Sequence, residues 1–129
     1  MTLRLCLMGA LFAVGFSANA ADFDGSRMLI CAPAEAKSCS ADEACINTTP
    51  NALGAPKFLR IDFGKQVIIG PERTTPIKVM EKDDDQIVMQ GTELGFGWTI
   101  VLDRENGDLS ATLSDRDSTV VLFGSCMPL

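Results

Sequence analysis

The stretch Phe96–Ser114, FGWTIVLDRENGDLSATLS, constrains the fold of this chain more than any other. Apolar and polar residues alternate along it with the two-residue period of a strand, on either side of a polar segment that ends in Asn106-Gly107. Phe96, Trp98, Ile100 and Leu102 share one face of the first run; Leu109, Ala111 and Leu113 share one face of the second. For both sets to meet one core, Leu102 must pair with Leu109, Ile100 with Ala111 and Trp98 with Leu113. That register leaves Arg104–Gly107 as a four-residue loop. Asp103 suits the first position of a type I turn, and Gly107 can take the left-handed conformation that returns the chain. A slip of one residue would turn every one of these side chains to water, so the hairpin is strongly specified.

The same pattern recurs from Phe58 onward. Leu59, Ile61 and Phe63 alternate with Arg60 and Asp62; after Gly64-Lys65-Gln66 the apolar face is expected to resume at Val67 and Ile69, then at Ile77 and Val79. Asp83-Asp84-Asp85 turns the chain before Ile87 and Met89, and Asp115–Ser118 turns it before Val120, Leu122 and Gly124. Before this region, RMLICA (27–32) reads as a first strand that can continue past Pro33 towards Cys39, Asn47–Lys57 as an irregular connection, and Ala21–Ser26 as a mobile polar lead-in. Helical periodicity is absent beyond the first twenty residues. About eight short strands separated by polar turns predict an all-β fold, a small antiparallel meander closing as an up-and-down barrel or a barrel-like sandwich.

The first twenty residues have a different character. Arg4 precedes the uncharged apolar run Leu5–Phe16, and Ser17-Ala18-Asn19-Ala20 has the small-x-small form of a signal-peptidase site. A run of about a dozen residues is short of the roughly 20 that span a bilayer. Residues 1–20 are therefore predicted to be a signal peptide and 21–129 a single β domain, exported to the periplasm and no longer membrane-bound. Without Arg4 the chain carries 10 Lys and Arg against 17 Asp and Glu, a net charge near −7. Such acidity repels phosphate backbones and anionic membrane surfaces and argues against nucleic-acid binding.

Cys31, Cys39, Cys45 and Cys126 remain after processing, an even number that fits two disulfides in an exported chain. Zinc binding is disfavoured: the spacings lack a Cys-x-x-Cys knuckle and the chain contains no histidine. Closing a meander brings its first strand to its last, and a cysteine lies on each. The predicted pairing is thus Cys31–Cys126 as a closing staple, with Cys39–Cys45 as a local clip around a hairpin loop.

The segments LICAP (29–33), PKFLRID (56–62), GWTIVLD (97–103), GDLSA (107–111) and VLFGSCMP (121–128), with the four cysteines in order, resemble small disulfide-bearing exported proteins of alphaproteobacteria. The resemblance spans essentially the whole mature chain. It implies a periplasmic location and a shared fold, and it carries over no catalytic residue. In size, export and strand content the chain is also similar to the small barrels of periplasmic C-type lysozyme inhibitors. It departs from them in having no tyrosine, and so no Ser-Gly-x-x-Tyr segment.

Chemistry-bearing motifs are missing. The absence of histidine removes Ser-His-Asp and Cys-His catalysis and the usual transition-metal ligands. Asp62, Glu81, Glu93 and Asp103 fall on outward positions or turn edges and read as solvated surface. Asp83–Asp85 and Asp103–Asp108 lack the spaced ligands of a calcium loop and read as turn chemistry. Trp98, among inward apolar residues, reads as core. No catalytic residue, metal or cofactor is expected. What remains is an unusual outer face, on which Ile68, Val88, Val101, Val121 and Phe123 are predicted to point away from the core. A patch formed by Val88, Val101, Val121 and Phe123 marks a candidate interaction surface. The expected protein is a non-enzymatic periplasmic binding or accessory module, a monomer that engages another periplasmic protein. A carrier of a small apolar ligand inside the barrel, and a lysozyme-inhibitor-like protein, are the alternatives.

Overall fold

A computed structural model describes residues 22–129 of the chain; the predicted signal peptide lies outside the described residues. The fold is all-β and antiparallel throughout: β1 Leu29–Ser40, β2 Ile46–Thr48, β3 Leu59–Asp62, β4 Val67–Ile69, β5 Thr74–Pro76, β6 Val79–Lys82, β7 Gln86–Glu93, β8 Phe96–Asp103, β9 Asp108–Ser114 and β10 Ser118–Pro128. One 3₁₀ turn, Asn51–Leu53, interrupts the connection between β2 and β3. Among the described residues, no helix is long and apolar enough to cross a membrane.

The axis of the sheet is β1, which is 12 residues long. Along one side it pairs with β10 from Leu29↔Pro128 to Ser40↔Ser118. Along the other it pairs first with β3, through Leu29–Cys31, and then with β2, through Ala36–Ser38. The remaining order follows the chain, β5-β4-β3-β1-β10-β9-β8-β7-β6. The two ends of that path, β5 and β6, are consecutive in sequence. Ile77 N–H donates to Gln66 O beside β4, and Lys78 N–H donates to Gln90 O on β7, both at 2.8 Å. A single descending segment thus leaves one partner and joins the other, and the sheet curls into a barrel-like meander. First and last strands meet as predicted, and the Cys31–Cys126 and Cys39–Cys45 disulfides are both formed.

Leu29, Cys31, Ile61, Ile87, Met89 and Leu102 are fully buried, and Ala36, Phe63, Ile77, Trp98, Ile100, Leu109, Ala111, Leu122 and Cys126 form the rest of the buried core with them. The hairpin register is the predicted one, Leu102↔Leu109, Ile100↔Ala111 and Trp98↔Leu113. Its loop closes through Gly107 N–H to Asp103 O, with Gly107 at φ 79°.

Four expectations are corrected. The strands number ten because β2 and β5 carry no apolar alternation; the buried residue of β5 is a threonine, Thr75. On β4 the inward residue is Ile68, which packs against the core, and not Val67 and Ile69. Asp62 pairs with Val67, so the loop has four residues, and an even loop carries the inward face from odd to even numbers. Likewise Ile77 is buried but Val79 is 44% exposed, and Met80 faces in opposite Met89, because the change of partner at Ile77–Lys78 shifts the phase by one. Finally, the segment before β1 is packed down rather than mobile. Phe23 rests against the core over Gly107, where a Cβ would collide with its ring, and Gly25 lies over Ile87 and the Lys82 side chain. Within this segment Arg27 pairs with Asp22 at 3.0 Å.

A bulge in β1 completes the frame. Pro33 pairs with Gly124 and Glu35 with Phe123, leaving Ala34 as the extra residue. Proline cannot donate to a ladder, so a bulge is where a strand tolerates it. Opposite it, a Cβ on Gly124 would run into the Ala32 carbonyl, so the two backbones approach this closely only because residue 124 is glycine.

Candidate functional site

Outward positions on the long strands line up in rows across the sheet. Val88 pairs with Val101, Val101 with Ser110, Ser110 with Phe123, and Phe123 with Glu35. The next row runs Gln90, Thr99, Thr112, Val121, Lys37. Val121 and Phe123, two apart on β10, point to the same side. The structure thus gathers Val88, Val101, Val121 and Phe123 on one outer face spanning β7 to β10. The valines are half-buried by their neighbours and the Phe123 ring is 42% exposed. Ile68 does not belong to this face, being packed inward. The Asn47–Lys57 connection, which could have covered the patch, instead sends Leu53 and Ala55 to the core.

Phe123 stands between two shallow hollows of about 290 and 340 Å³. The first is floored by Val101, Ser110 and Leu109; the second reaches over Gly124 and Ser125 to Ala34 and Glu35. Both exist because small residues flank the ring: Ser110 beside it in the row, and Gly124 with the bulged Ala34 beyond it. Asp108, Leu109 and Phe123 border both hollows, so the two form one trough across the strands.

The rim of the trough is acidic. Asp85, Asp103 and Asp108 border the first hollow, and Glu35 with Asp108 the second. Among the described residues the ion pairs use other acids, namely Asp22, Glu72, Glu93 and Asp117. Arg104, next to Asp103 in sequence, turns its guanidinium to the Asp83 carbonyl. Lys37 donates to Asn47 Oδ1 at 2.8 Å. Among the described residues, no cation forms an ion pair with the rim carboxylates.

Several acids serve turns, the rim residue Asp103 among them. Asp83 Oδ1 accepts from Gln86 N–H at 2.8 Å and from Asp85 N–H at 2.9 Å, which holds its carboxyl below the usual range. Asp115 does the same with the Asp117 and Ser118 amides, and Asp24 with Ser26. Asp103 caps the opening hairpin's loop through the Glu105 and Asn106 amides. Among the described residues, no group of three or more acidic or cysteine side chains is placed to hold a metal ion. Trp98 is buried against Gly91, and bulky side chains occupy the barrel interior.

Face assignment found the apolar residues of the patch but not the trough or its rim. The signal for Asp103 and Asp108 was in the hairpin register, which places both outward at one end of adjacent strands. Glu35 and Ala34 owe their places to the bulge, which no local pattern announces. Comparison of the chain with protein-family models, curated proteins and solved structures yields no match.

Proposed function

We propose that this protein is a non-enzymatic binding or accessory module of the periplasm, and that it engages a partner protein through the outer face of β7–β10. The observation that carries the reading is that Val88 on β7, Val101 on β8 and Val121 and Phe123 on β10 share one outward face, with only the small Ser110 and Thr112 of β9 between them. Apolar side chains gathered on the outside of a sheet are what protein-binding surfaces use, and an exposed aromatic among them is a characteristic anchor. The apolar leader and the two disulfides support export. The interior has its own side chains to hold it together, so this face is free to serve contact rather than stability.

The test is recovery of partners from periplasmic extract by the disulfide-intact protein and by Phe123→Ser and Val101→Ser variants of unchanged thermal stability. A partner retained by the parent protein and lost with either variant is the expected result. Equal recovery by all three would remove this face as the binding surface.

A further inference from the structure

We infer that the segment this face receives is a cationic, extended stretch of polypeptide with apolar residues at its centre; the inference rests on the reading of the outer face as a binding surface. Two features that do not depend on each other converge on it. The first is shape. The trough runs across β7, β8, β9, β10 and β1, a width of about 19 Å at the usual strand spacing, which matches about six extended residues. Phe123, on the fourth of these five strands, borders both hollows. Alternate side chains of an extended segment lie about 6.6 Å apart, so apolar residues at two such positions can straddle the ring. The second is charge. Asp85 and Asp103 lie towards one end of the trough, Asp108 borders both hollows and Glu35 lies at the other end, and none of them forms an ion pair among the described residues. An anionic or neutral occupant would leave these carboxylates crowded and partly desolvated; lysine or arginine at the ends of the segment would satisfy them. The same acidity opposes an anionic membrane surface, which leaves a basic polypeptide as the complementary partner.

Nuclear magnetic resonance titration of the full disulfide-intact protein tests this directly. The probe is a capped heptapeptide of Leu-Ser-Leu flanked at each end by two lysines; the control has serine at all four lysine positions. Asp85→Asn, Asp108→Asn and Glu35→Gln, combined, remove rim charge without touching a turn-capping carboxylate. The lysine peptide is expected to shift amides around Ser110 and Phe123. Its affinity should fall about tenfold in the triple variant, fall further with added salt, and exceed that of the serine peptide by at least as much. Equal binding of the two peptides, an unchanged affinity in the triple variant, or shifts spread evenly over the acidic surface would overturn the inference. In those cases a Phe123-dependent partner from the recovery experiment would still uphold the binding face, so failure of the charge assignment is distinguishable from failure of the face itself.

Discussion

Gly91 on β7 lies directly opposite Trp98 on β8, and the indole occupies the space that a side chain at residue 91 would need. A Cβ there would sit 2.7 Å from Cε2 of the ring and 2.9 Å from the Pro76 carbonyl oxygen. Alanine in a strand ordinarily improves on glycine by roughly 0.5–1 kcal/mol. Here the sign should reverse. Gly91→Ala is expected to destabilise the protein by about 1–3 kcal/mol, the cost of overpacking, in urea unfolding followed by Trp98 fluorescence. A gain in stability would mean that the indole is not seated against this strand.

The two disulfides should differ sharply in what they contribute. Cys31–Cys126 joins residues 95 apart and Cys39–Cys45 residues 6 apart. By loop-closure entropy the first stabilises by about 4–5 kcal/mol and the second by about 2 kcal/mol. Paired serine substitutions at Cys39 and Cys45 should leave a folded domain with a lowered unfolding midpoint. The same change at Cys31 and Cys126, both buried, should leave the domain largely unfolded at 37 °C by circular dichroism, because it also places two hydroxyls in the core.

The tip of the β7–β8 hairpin offers a stabilising change. Glu93 pairs with Phe96, so Leu94-Gly95 is a two-residue loop with both residues in the left-handed region, Leu94 at φ 50°. Leucine is disfavoured there, and asparagine before glycine is the usual solution. Because Leu94 is 76% exposed, little burial is lost on replacing it. Leu94→Asn should raise stability by about 1 kcal/mol in the same unfolding assay; a decrease would show that the leucine makes contacts worth more than the backbone strain.

Acid should weaken the fold through the turn carboxylates. Asp83, Asp115 and Asp24 are each held below the ordinary value of 3.8 by hydrogen bonds present only in the folded chain. A group with a depressed folded value binds its proton more readily when unfolded. Its stabilisation is therefore complete above 3.8 and lost as the pH falls below it. The thermal midpoint should accordingly be flat from about pH 7 to 5 and drop between about pH 4 and 2. Combining Asp83→Ala with Asp115→Ala should lower the neutral-pH midpoint and make that acid limb shallower; an unaltered limb would remove these two residues as its source.

Local alternation sufficed for the core of β7 to β10 because every loop there is short, so the parity of one strand dictates the next. It failed on β4 and β6 for the same reason in reverse: Phe63 itself joins the loop after Asp62, and that extra residue and the change of partner at Ile77–Lys78 each inverted the face. Phe23 escaped notice because a lone aromatic in an Asp, Gly and Ser segment has no period to report. Of the candidate site, Val88, Val101, Val121 and Phe123 were readable as outward residues, whereas their gathering on one face depended on the strand order.

The sequence by itself determined an all-β meander, the register of its central hairpin, the two cysteine pairings and the lack of histidine-based chemistry. These follow from side-chain period, turn residues and composition, which act over a few residues or need only counting. The tertiary structure alone decided that one bent segment joins the two ends of the sheet, that β1 bulges at Ala34, and that Glu35 and Asp108 come to flank Phe123. These are relations between residues far apart in the chain. They arise from how the strands' backbones fit against one another, which no local pattern encodes.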